Sequence, residues 1–139
     1  MESAKDKLIN ALLPFAQQLL NKQDGFYPFG ASIASDGKVV MAATYDGNEH
    51  PESQGVIDQL TRAFNRQALA KEIVAAAVCA DIRVIPPDKE TKTDAISIGL
   101  ELQSGESGDF LFPYRKEVKS VIYDEPFVLP RKPKYFVFQ

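Results

Sequence analysis

The sequence holds a single cysteine, Cys79, and a single histidine, His50. A lone cysteine excludes an internal disulfide and any multi-cysteine zinc site, and it suits a reducing compartment. No apolar stretch is long enough to span a bilayer, and Glu2, Lys5, Asp6 and Lys7 occupy the region where a secretory leader would turn apolar. The expectation is a cytoplasmic protein with no membrane contact. A basic excess is also missing. Net charge is −3, the pI is near 5.2, and the only cationic runs are Tyr114-Arg115-Lys116 and Arg131-Lys132-Pro133-Lys134. Nucleic acid, which demands a positive face or stripe, is not an expected partner. Paired-glycine phosphate loops, serine elbows and zinc signatures are absent too, so no cofactor and no metal site are expected.

What is present describes one domain over residues 1–139. At 139 residues the chain can bury one core, and 45% hydrophobic against 25% charged residues is a globular balance that argues against disorder. Residues 3–22 have helical period: Leu8, Leu12, Phe15, Ala16, Leu19 and Leu20 form a stripe interrupted by Pro14, which predicts a kink or a break near Leu13. Phe29, Ala31 and Ile33, then Val39, Met41 and Ala43, alternate with their neighbours on either side of Ser35-Asp36-Gly37-Lys38. That is a hairpin signal. A second helix is predicted from Pro51 to about Glu72, carrying Val56, Ile57, Leu60, Ala63, Phe64 and Ala68 on one face.

Three more strands follow. In residues 76–85, Val78, Ala80, Ile82 and Val84 are expected to face inward, with Cys79, Asp81 and Arg83 outward. Residues 96–102 place Ile96, Ile98, Leu100 and Leu102 inward and Glu101 outward. Residues 109–116 alternate Phe110, Phe112 and Tyr114 against Leu111, Pro113 and Arg115. In the tail, residues 121–123 and 135–138 have strand composition, while Pro126, Pro130 and Pro133 forbid a central strand there.

The order helix-β-β-helix-β-β-β is an α+β arrangement, with both helices expected on one face of a five-stranded, mainly antiparallel sheet and an irregular C-terminal tail. Over residues 3–116 this layout resembles profilin-like and roadblock-like domains, which implies the strand order 2-1-5-4-3. The stretches Tyr27-Pro28-Phe29-Gly30, Asp36-Gly37 and Tyr45-Asp46-Gly47 are also similar to those of small bacterial single-domain proteins of unknown function. Neither resemblance implies an activity.

Candidate chemistry is sparse. His50 stands among Asp46, Glu49 and Glu52, a set that could bind metal or move protons, although acidic residues before a helix also complement its dipole. Cys79 lies within a strand, far in sequence from the one histidine, and is expected to be an unreactive sheet residue. Asp81, Arg83, Glu101 and Arg115 suggest either a charged patch or cross-strand ion pairs on an outer face. Tyr27, Phe29 and Phe110, lacking basic partners, are expected in the core. The implied strand order would gather Tyr27, Asp46, Glu49, His50, Tyr114, Arg115 and Lys116 on one rim, which makes that rim the candidate binding site. The expected function is a non-catalytic binding or interaction module, with a homodimer or another protein as partner. The alternatives are an immunity-type protein that neutralises a basic toxin, or a small enzyme working through the His50 loop.

Overall fold

The computed structural model describes residues 2–43 and 52–137. Ala4–Lys22 form helix α1, capped where the Ser3 side chain accepts a hydrogen bond from the Asp6 N–H at 3.1 Å. Leu8, Leu12, Ala16 and Leu20, four residues apart, are all fully buried and form its inner stripe. Pro14 does not divide this segment, which is one continuous helix. Pro14 and Asn10 are both exposed. The carbonyl that proline leaves unbonded is therefore on the wet side, and the buried stripe runs past it uninterrupted.

The remaining elements are β1 (Phe29–Ala34), β2 (Val39–Ala42), α2 (Ser53–Leu69), β3 (Ile73–Val84), β4 (Thr93–Leu102), β5 (Ser107–Lys116), β6 (Val121–Tyr123) and β7 (Phe127–Leu129). The class is α+β and every strand pairing is antiparallel. The order, however, is β2-β1-β3-β4-β5-β6, with β7 also paired to β5. It is not 2-1-5-4-3: β3, not β5, lies beside β1. Charge explains the exchange. Between Ile73 and Ala80, β3 carries no charged side chain, so it can occupy the middle of the sheet where both faces are covered. β5 carries Asp109, Arg115 and Lys116 and takes a place nearer the margin.

The same apolar run overturns the expectation that both helices share one face. Ala75, Ala77 and Cys79 pack under α1 together with Phe29, Ala31, Ile33, Ile96, Ile98, Leu100 and Tyr114. Ala76 and Val78 point the other way and pack with Val56, Leu60, Phe64 and Ala68 of α2. The sheet is thus sandwiched between the helices. Val78 and Ala80 are buried as expected, but so is Cys79, while Ile82 and Val84 are only half-buried.

The tail contributes two short strands to one margin of β5. β6 pairs with Tyr114–Lys116 and β7 with Asp109–Leu111. Pro113 falls between them, and its carbonyl accepts the Asp124 N–H. Its missing N–H points to that same side, into the gap between the two strands. The β7 strand fits between Pro126 and Pro130, whereas Tyr135–Val137 form no strand among the described residues.

Beyond β7 the chain crosses the α2 side of the sheet and is fastened there by Glu101. This residue is not solvent-facing; it is 1% exposed. Its carboxylate takes Arg131 through Nε and Nη2, both at 2.9 Å, and accepts the N–H groups of Lys134, Tyr135 and Phe136. Arg131 also meets Asp109 at 3.0 Å and lies over the Tyr135 ring at 4.8 Å. Gly99 makes the room, since a Cβ there would stand 2.5 Å from Arg131 Nη1. The Tyr135 hydroxyl donates to the Gly99 carbonyl at 2.9 Å, and its ring meets Phe64 edge-on at 5.5 Å.

Replacing Glu101 by alanine leaves the desolvated Arg131 guanidinium with Asp109 as its one carboxylate and strands the tail's N–H groups. The expected loss is about 3–5 kcal/mol, measured as a lowered urea midpoint. Lys5→Ala, which breaks the exposed pair with Glu106 and a cation contact 5.9 Å from the Phe110 ring, should cost no more than about 1–2 kcal/mol.

Candidate functional site

Exchanging β3 and β5 leaves every strand direction unchanged, so the rim still joins the start of β1 to the ends of β3 and β5. Tyr27, Tyr114, Arg115 and Lys116 stand at this end of the sheet, but β5 is three strand spacings from β1, roughly 15 Å. Alternation then separates them. Tyr114 shares the α1 face with Ile96 and Phe112, while Arg115 points to the other face and pairs with Glu117 at 3.8 Å and Asp124 at 3.7 Å. Tyr27 is exposed, not part of the core. Asp46, Glu49 and His50 lie outside the described residues, as does the loop proposed for a small enzyme.

What the rim brings together on the α1 side is a different set. The centre is Asp81, on the last third of β3. The Tyr114 hydroxyl, within a buried residue, donates to Asp81 Oδ1 at 2.7 Å, and the Phe26 N–H donates to the same carboxylate. Gly25 passes directly over it: a Cβ there would come within 2.7 Å of Asp81 Oδ2, so any larger residue would have to displace the carboxylate. Lys116 reaches across from β5, donating to the Gln23 carbonyl at 2.6 Å and meeting Asp24 at 3.5 Å. These contacts tie the exit of α1 to β3 and β5. Gln23, Gly25, Phe26, Tyr27, Ser53 and Asp81 then line a cavity of about 350 Å³.

The electrostatics are those of a carboxylate drawn out of water. Burial raises the Asp81 pKa above its ordinary 3.8, opposed by the Tyr114 hydrogen bond; Asp94 raises it further, while the Phe26 N–H and Lys116 lower it. Burial and the neighbouring carboxylate push the Tyr114 hydroxyl far up, so it remains a donor. Tyr123, 6.3 Å from Tyr114 between ring centroids, buries a hydroxyl that has no partner among the described residues. Cys79 is fully buried and its thiol is pushed well above its usual range, mainly by desolvation, which removes it as a nucleophile.

The suspected outer-face charged patch does not form. Arg83 pairs across strands with Asp94 at 3.9 Å, Glu101 is locked to Arg131, and Arg115 faces its own acidic neighbours. Among the described residues, no three His, Cys, Asp or Glu side chains cluster as metal ligands do, and no helix is long and apolar enough to cross a membrane. A second, larger groove of about 770 Å³ opens on the opposite face between Pro86, Pro87, Pro113 and Pro126. Lys89 and Arg115 both line it, beside Asp88, Asp124 and Glu125, and Arg115 is paired with Asp124.

Sequence reasoning missed the Asp81–Tyr114 pair because it placed Asp81 outward. One available signal was a lone carboxylate directly after an uncharged apolar run in the same strand. Scans against protein-family models, curated proteins and solved structures find no match to the chain.

A raised folded-state pKa means the folded protein holds the Asp81 proton more tightly than the unfolded chain does. Stability should therefore fall as pH rises from about 3.8 through the raised value. Asp81→Asn should flatten that part of the curve, measured as urea midpoints across the acidic range. An unchanged slope would place the proton elsewhere.

Proposed function

We propose that the protein is a non-catalytic binding domain that captures an alkylammonium group in the Asp81 cavity. One observation carries this reading: a half-buried carboxylate lines a cavity, is held by the neutral donors Tyr114 and Phe26, and forms no ion pair with a lysine or arginine among the described residues. A carboxylate has about four lone-pair directions, so two donors leave capacity for an incoming N–H. An ammonium ion would restore the charge balance that desolvation disturbs. The lining suits such a guest: aromatic Phe26 and Tyr27 for the methylenes and the cation, with Gln23 and Ser53 as further polar contacts.

The same group can arrive on a free small amine or on the lysine side chain of a protein partner. Titration with butylammonium and, separately, with a short lysine-containing peptide distinguishes these sources. Amide NMR signals of Gly25, Phe26 and Tyr27 should move, with a dissociation constant for the small amine on the order of 1 mM. Tighter binding of the peptide would favour a protein source. Binding should strengthen as pH rises through the Asp81 titration, because the carboxylate must be charged. Asp81→Asn should abolish the shifts; shifts that survive the substitution would rule out this site.

A further inference from the structure

The two margins of the sheet differ. On the β5 side, β6 and β7 occupy the edge, whereas on the other side β2 is the last strand and none of the described residues pairs with its outer edge. Its sequence, Val39-Val40-Met41-Ala42, is short but contains no charge and no proline, two of the devices that blunt a sheet edge. Val39, Val40 and Met41 are all exposed, Val40 by 50%.

The pairing with β1 fixes which backbone groups are free. Ala34 N–H donates to the Lys38 carbonyl, and the register pairs Ser32 with Val40 and Gly30 with Ala42. Lys38, Val40 and Ala42 therefore direct their N–H and C=O toward β1, and Val39 and Met41 direct theirs outward. Val39 and Met41 also share the α1 face, opposite Ile33 and Ala31.

We propose that two copies of this chain join through β2, antiparallel about a two-fold axis normal to the sheet at Val40. This register sets Val39 of each copy opposite Met41 of the other, so every outward N–H and C=O of the described edge strand finds its complement in the same strand of the second copy. Val40 meets Val40 on the opposite face. What a partner strand must match is the apolar character of both faces of β2, and a second copy supplies it by identity, with one two-fold axis closing the pair. The axis keeps both α1 helices on one side of the enlarged sheet. There Phe15, 46% exposed and edge-on to Phe29 at 5.1 Å, extends the apolar seam beyond Val39 and Met41. A four-residue strand alone falls short of the roughly 800 Å² per partner of a stable interface, so this α1 flank is part of the contact.

The test uses the full chain in sedimentation equilibrium, with cysteine crosslinking as an independent readout. The apparent mass should climb from the 15.4 kDa monomer toward twice that value with concentration, and Val40→Lys should hold it at the monomer. In the proposed register Val40 and its copy form a non-hydrogen-bonded pair with Cα atoms about 4.5 Å apart, within disulfide reach. Val40→Cys should therefore crosslink under mild oxidant, whereas Val118→Cys, on a fully exposed residue outside β2, should not. The native Cys79 is buried and does not compete. A monomer at every concentration, a dimer that survives Val40→Lys, or equal crosslinking at positions 40 and 118 would each overturn the proposal.

Discussion

Glu101 is the point on which the second half of the structure hangs. A carboxylate sealed from water is tolerable only when cations and N–H donors replace the lost hydration, and here Arg131 and the turn at Lys134–Phe136 supply all of them. This requirement dictates the path of the tail. It also decides what covers β4 on the α2 side, because α2 packs mainly over β3 and β1. Tyr135 closes the remaining space between Phe64 and Gly99. The tail thus stands in for a third helix, held by charge and hydrogen bonds where a helix would use an apolar stripe.

Asp81 faces the reverse situation on the other side of the same sheet. It too is pulled from water, but its hydrogen-bond donors are a phenol and a peptide N–H, neither of which carries charge, and Lys116 acts on it only at a distance. One fold therefore contains a carboxylate whose charge is answered internally and another whose charge is left to its surroundings. Its hydrogen bonds to Tyr114 and the Phe26 N–H keep the second carboxylate where the α1 exit, β3 and β5 meet.

The helices and most strands were legible because their signals are local. The Leu8, Leu12, Ala16, Leu20 spacing and the Asp36-Gly37 turn need no tertiary knowledge to interpret. Strand order and facing were not legible from alternation alone, since a continuous apolar run such as Ile73 to Ala80 fits either face and signals burial on both. Giving that run its full weight would have moved β3 to the centre and the helices to opposite sides. Glu101 resisted interpretation for a different reason. Its partner lies thirty positions later, in a proline-rich stretch without periodicity, and a glutamate in an alternating strand is normally solvent-facing. The candidate site was legible only as far as strand direction determines which chain ends share a rim.

Pro113 gives the molecule a polarity that no single strand possesses. By interrupting the β5 margin it confines the neighbouring strands to three residues each, and Pro126 and Pro130 bracket one of them. A sheet with two receptive edges can add copies indefinitely and grow into a fibre; a sheet with one can add a single copy and stop. The prolines thus leave that margin as two three-residue strands in place of one long edge, and very short strands are one of the devices that disfavour extension of a sheet.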